Sequence, residues 1–208
     1  MDRQDRHLTV DDLEMLCIPK RYYMATLDNV TKSKDVKEKL RSYVESVVNG
    51  RAAGAGLLIR GETSTGKTYA ACSVLKRLRA YVTGFSGLFL DSTMISEDFL
   101  RAEFMGEGVR NMERIVDVEL LVLDDIGSEK KFEQERIFEI FKQRCNNLKR
   151  TIITTNLLKE DDFIKHFGIY GKKFYDMVSG CCLTVEFPDT NLRTSLEADR
   201  LEKEIIQG

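Results

Sequence analysis

No apolar run in this chain approaches the ~20 residues that a helix needs to cross a membrane. Met1-Asp2-Arg3-Gln4-Asp5-Arg6 opens it without the apolar core of a signal peptide. Positive charge is not in excess: 32 Lys and Arg stand against 34 Asp and Glu, a net charge of −2. Bulk charge therefore makes no case for nucleic acid, and only a local basic patch stays open. The five cysteines, Cys17, Cys72, Cys145, Cys181 and Cys182, are odd in number and form no C-x-x-C pair. They suggest neither a zinc site nor a disulfide framework. Cys181-Cys182 is expected simply to pack at the start of an apolar strand, and this usage suits a reducing cytoplasm. Internal repeats and low-complexity segments are also missing. What remains is 208 residues, 42% hydrophobic and 32% charged, enough for one ordinary globular domain with a short appendage.

One octapeptide is rich in chemistry. Residues 61–68 read Gly-Glu-Thr-Ser-Thr-Gly-Lys-Thr, which fits the phosphate-binding pattern G-x-x-x-x-G-K-[ST]. Gly61 and Gly66 let the backbone turn tightly and approach a polyphosphate. Glu62, Thr63, Ser64 and Thr65 contribute consecutive N–H groups to an anion nest at a helix N-terminus. Lys67 supplies a point charge for the β- and γ-phosphates, and the Thr68 hydroxyl is placed to ligate Mg²⁺. Tyr69 closes the nucleotide-binding stretch. The context agrees. Leu57-Leu58-Ile59 is a short apolar run before the loop. Ala70, Ala71, Val74, Leu75 and Leu78 recur at helical spacing from Lys67 to about Tyr81.

The rest of the chain alternates strand and helix. Thr9 caps a short helix within residues 1–17, with Leu13 and Leu16 on one face, and Ile18-Pro19-Lys20-Arg21 breaks it. A helix spans Ser33–Asn49 on Val36, Leu40, Val44, Val47 and Val48. Strands are predicted at Leu88–Leu90, Glu119–Leu123, Thr151–Thr155 and Leu183–Phe187. Helices are predicted at 94–118, Phe132–Leu148, Glu160–Phe167 and Tyr170–Val178. The pattern implies an α/β fold: a parallel five-stranded sheet with helices on both faces.

Two strand ends carry further candidates. Leu120-Leu121-Val122-Leu123 runs into Asp124-Asp125-Ile126-Gly127, the Walker B pattern. Asp124 would hold Mg²⁺ and Asp125 would polarise the attacking water. An ordinary strand-to-turn transition is the bland alternative. Thr154-Thr155-Asn156-Leu157 ends the next strand, where an Asn amide can donate to a γ-phosphate and orient water. A helix N-cap is its bland alternative.

Together these sites resemble the AAA+ superfamily of P-loop NTPases, with Asn156 as its sensor I. No N-K-x-D motif points to a guanine-nucleotide protein. The finer resemblance, from about Ile18 to Arg193, is to the helicase-loader branch: bacterial DnaC and DnaI and the transposition helper IstB. It rests on Ile18-Pro19-Lys20-Arg21-Tyr22, Ala25-Thr26-Leu27-Asp28-Asn29, Leu123-Asp124-Asp125-Ile126-Gly127, Thr151 to Leu157, and Phe187 to Arg193. The resemblance implies a short N-terminal segment (1–17), an AAA+ core (18–193) and a tail or vestigial lid helix (194–208). By it, residues 22–27 border the adenine and Arg193 is the sensor II arginine, unless that residue is only a solvated arginine. It further implies ATP/ADP and Mg²⁺ as ligands, ATP hydrolysis that is slow in isolation if the arginine finger is missing, and a DnaB-type replicative helicase as partner. Single-stranded DNA and ATP-dependent self-association are also implied.

The sequence departs from that family in three places. The D-R pair carrying an arginine finger reads Asp176-Met177, leaving Lys173 as a substitute without the bidentate fork. Only about 17 residues precede the core, and 15 follow Arg193. By the same resemblance, DNA contacts are expected within Ser92–Val118, where Arg101, Arg110 and Arg114 are candidates and a solvated helix face is the alternative for each. A transposition helper of the IstB type and a non-hydrolysing ATP-gated binding module are the alternatives.

Overall fold

The computed structural model describes residues 6–31, 33–51, 53–95 and 108–188. Five strands form one sheet: β1 Gly56–Arg60, β2 Gly87–Asp91, β3 Leu120–Ile126, β4 Arg150–Thr155 and β5 Cys182–Glu186. All neighbours are parallel, in the order β2-β3-β4-β1-β5. Successive side chains of a strand point to opposite faces. Leu57, Ile59, Val122 and Ile152 therefore enter one core, and Leu58, Leu121, Leu123 and Ile153 enter the other. The first core is covered by α1 Val10–Met15, α2 Lys34–Val48 and α3 Lys67–Tyr81. The second is covered by α4 Gly108–Asp117, α5 Lys131–Asn146, α6 Glu160–Phe167 and α7 Gly171–Cys181. The sheet is the doubly covered parallel one expected from the alternation of strand and helix, and its C-terminal edge is where such sheets bind ligands.

The N-terminal segment shares the first core. Thr9 caps α1, and Leu13, Leu16 and Ile18 are buried with Leu75 and Leu78 of α3. The Phe89 N–H of β2 donates to the Leu16 carbonyl at 2.8 Å. Asp12 is buried and takes Arg6 at 2.6 Å and Arg79 of α3 at 3.1 Å. The Thr9 backbone N–H, aided by both guanidiniums against desolvation, holds its carboxyl well below the usual range. A carboxyl depressed in the folded state stabilises above its unfolded pKa and loses that contribution as pH falls through the folded value. Asp12→Asn is therefore expected to lower Tm at neutral pH. Thermal melts should show the gap to wild type constant above about pH 4 and narrowing below it.

Three sequence expectations need correction or completion. β3 runs to Ile126, beyond the predicted end at Leu123, with a register shift between Leu123 and Ile126. Of the predicted helix 94–118, Gly108–Asp117 is helical, Ser92–Met94 forms a 3-10 turn, and 96–107 lies outside the described residues. The cysteines were expected to form no disulfide, yet Cys145 and Cys181 are bonded. Phe138 and Phe141 of α5 pack on Phe174 in the first turn of α7, and the disulfide joins the last turns of the same two helices.

Candidate functional site

β1 ends at Arg60, and the loop Gly61–Gly66 leads directly into α3. Ser64 (φ 66°) and Gly66 (φ 99°) adopt left-handed backbone, which turns successive N–H groups into one concavity. The Lys67 Nζ is buried beneath it and donates to the carbonyls of Gly61 and Glu62, each at 2.8 Å. Burial lowers the Lys67 pKa, opposed by the nearby charges of Asp125 and Asp124. The Thr65 hydroxyl donates to the Glu62 carbonyl at 2.9 Å and closes the turn.

Asp124 reaches the same edge from β3, with β4 lying between β3 and β1. It is 3% exposed, and Thr154 of β4 donates to its Oδ1 at 2.6 Å. The Thr68 side chain lies close to the same carboxylate. Burial pushes the Asp124 pKa up to about 6, partly offset by those two hydroxyls. The donor set of one hydroxyl and one carboxylate beside an anion nest suits Mg²⁺, which binds through few protein groups plus phosphates and water. The Tyr22 side chain lies close to Thr68. Tyr69 donates to the Met24 carbonyl at 3.1 Å, and Lys76 donates to the carbonyls of Tyr23 and Ala25. Segment 22–25 is thus pinned beside the first turns of α3.

The following residue sits differently. Asp125 has φ 59°, so its side chain leaves the strand path just where the β3–β4 register shifts. Its N–H donates to Thr154 Oγ1 at 2.9 Å, and its carbonyl accepts from Ser92 at 2.9 Å. Ser128 donates to Oδ2 at 2.7 Å. Asn156 is exposed at the end of β4, and its Oδ1 lies against Gly127. P-loop, Thr68, Asp124, Asp125 and Asn156 therefore share one sheet edge.

Other expected residues lie elsewhere. Lys173 is exposed on α7, with its ammonium 5.7 Å above the Phe138 ring of α5. Met177 is half-buried and packs on the second core. Arg193 and Arg101 lie outside the described residues, as does the Arg110 side chain. Arg114 is exposed but donates to the Met15 carbonyl at 2.8 Å. Sequence reasoning missed Thr154, Ser128 and Ser92 as supports. The only available signal was a buried Thr facing an acidic strand end.

Residues 1–168 match the model of the family described as IstB-like ATP binding protein. The chain belongs to the IstB-like ATP-binding protein family. A protein of insertion sequence IS1162 of Pseudomonas fluorescens, described as ATP-binding, is 31% identical over 103 residues. That match takes in 49% of this chain and 43% of the relative, so less than half of the relative's length is spanned. Among solved structures, the DnaC helicase loader superposes with TM-score 0.70 at 25% identity, over 82% of this chain and 100% of that one. A replication initiator DnaA solved with AMPPCP and single-stranded DNA gives TM-score 0.64 at 17% identity, over 87% and 55%. The fold of this family member is that of the AAA+ P-loop proteins. Among the described residues, no helix is long and apolar enough to cross a membrane.

Proposed function

We propose that this chain binds and hydrolyses ATP and acts on a replicative helicase of the DnaB type, as a loader. The observation that carries the nucleotide half is the meeting of Thr68 and Asp124 beside the Gly61–Gly66 nest. Lys67 exchanges its two loop carbonyls for phosphate oxygens. Asp124 and Thr68 hold Mg²⁺, which neutralises phosphate charge when bound. Asp125 accepts a proton from the attacking water, and Asn156 orients that water against the γ-phosphate. ADP and phosphate are the products. In this reading residues 22–27 border the adenine, and Arg193 is assigned the sensor II role by family resemblance. The helicase half is supported by the likeness to DnaC across that whole chain. Capture of purified helicase by the ATP-bound protein tests it. Retention of helicase without nucleotide dependence, or no retention, counts against the loader role.

A transposition helper is the second reading, favoured by the insertion-sequence relative. Capture of a transposase in place of a helicase would establish it. Single-stranded DNA and further copies of this chain are the remaining partners of the proposal.

Turnover of the isolated protein is expected to be slow, because Met177 stands where an arginine finger would act across a subunit interface. The half-buried Met177 position can hold an arginine stem along the core while its head reaches solvent. An arginine finger is worth ~10³–10⁵ in rate, and a grafted one should recover about tenfold. Met177→Arg should therefore raise phosphate release, with the gain growing with protein concentration. Lys173→Ala is expected to change little, since its ammonium rests on Phe138. Rapid wild-type turnover lost in Lys173→Ala would make Lys173 the finger instead.

A further inference from the structure

Behind the Asp125–Gly127 turn lies a buried carboxylate with a half-buried histidine partner, which none of these roles uses. The Glu129 side chain is 0% exposed. Its Oε2 accepts the Gly127 N–H at 2.7 Å, and its Oε1 lies 2.8 Å from Nε2 of His166 on α6. A carboxylate only accepts, so that ring nitrogen carries the hydrogen. The Gln134 side-chain amide stands 3.2 Å from the same nitrogen, where only its oxygen can face that N–H, and Phe167 packs edge-on against the ring at 4.9 Å. One buried carboxylate thus ties the turn after β3 to α6.

Gly127 is gripped from the other side as well. A Cβ on it would meet Asn156 Oδ1 at 2.9 Å and the Leu157 side chain at 3.2 Å. Its φ of 111° already demands glycine. Gly127 therefore packs close against Asn156, and it stands two residues from Asp125. Thr154, Thr155 and Ser92 hold the strand side of this turn, and the bond to Glu129 holds its Gly127 end.

We propose that Glu129 and His166 form a positioning pair for hydrolysis, holding the Gly127 turn so that Asp125 and Asn156 face the phosphate end of the P-loop. The inference rests on the ATPase reading above. The pair touches no nucleotide-binding residue directly, so it should act on the chemical step and leave binding alone. It also connects the site to the element preceding α7, which carries Lys173 and Met177.

The test compares wild type, Lys67→Ala, Glu129→Ala, Glu129→Gln and His166→Leu by three readouts. These are fluorescent-ATP Kd, phosphate release, and hydrogen exchange of residues 123–130 against the β1 and α3 core. Misplacing a reacting group by about 1 Å costs on the order of 10²-fold, so His166→Leu and Glu129→Ala should lose about 10–100-fold in kcat. Kd should stay within about threefold, as for loss of an interaction used only in the chemical step. Exchange should quicken in 123–130 while the core stays protected. Glu129→Gln keeps an acceptor for Gly127 and a polar partner for the imidazole, and should recover most of the rate. Unchanged kcat in a folded His166→Leu overturns the inference. So does a parallel loss of kcat, Kd and core protection, which would mark a merely structural pair. If wild type releases no more phosphate than Lys67→Ala, the ATPase reading fails and the catalytic half falls with it. The exchange readout still decides the tether: unaltered exchange at 123–130 in His166→Leu removes that too.

Discussion

Lys67→Ala is expected to lower ATP turnover by about 10²–10³, the cost of removing one preorganised electrostatic donor from a reacting centre. The physical ground is the ammonium's present position. It is buried under the nest and shared between the carbonyls of Gly61 and Glu62. Those bonds hold the loop in shape, and their donors lie where phosphate oxygens would replace the carbonyls. Alanine removes the charge and leaves both carbonyls to water, so nucleotide affinity should fall with turnover. The fold should survive, because the loop's other turn-closing bond, from Thr65 to Glu62, does not involve Lys67. Phosphate release, fluorescent-nucleotide titration and a thermal melt check the three statements. Near-normal hydrolysis in a folded Lys67→Ala protein would remove the P-loop assignment.

Asp125→Asn is expected to keep ATP·Mg²⁺ binding and lose about 10²–10⁴ in turnover, the span attributed to general acid–base catalysis. Asp124 and Asp125 are adjacent in sequence and opposite in environment. Asp124 is enclosed by Thr154 and Thr68, while Asp125 turns away from the strand toward Ser128. Asparagine keeps an oxygen for Ser128 and loses only the basic lone pair. Asp124→Asn should weaken metal-dependent binding as well as turnover. Binding titrations with and without Mg²⁺, beside phosphate release, separate the two. Equal loss of binding in both variants would contradict the division of roles.

What could be read in the chain was local. The P-loop, the acids ending β3 and the Thr-Thr-Asn ending β4 each announce themselves within eight residues. Strand alternation and helical spacing supplied the sheet. Pairs that meet only after folding left no such mark. Glu129 and His166 are 37 residues apart, and Thr154 and Asp124 are 30 apart. Cys145 and Cys181 follow no recognisable spacing. Arg144 misleads in its own way, because a charged residue on a helix reads as solvated. It is instead 0% exposed, with its guanidinium enclosed by the carbonyls of Ile115, Val116 and Arg150 and the Thr151 hydroxyl.

The hydrogen bond from Phe89 to the Leu16 carbonyl bears on how copies of the chain can associate. β2 is an outermost strand, and an uncovered outer strand is a template for another chain's backbone. Leu16 occupies part of that template from within the same molecule. Sheet-to-sheet growth through β2 is thereby obstructed at Phe89. A chain shortened to begin at Ile18 would keep every nucleotide-site residue discussed above. It would also bare the Phe89 N–H and the apolar bed left by Leu13 and Leu16, and is expected to associate through β2, a route that Leu16 obstructs in the longer chain.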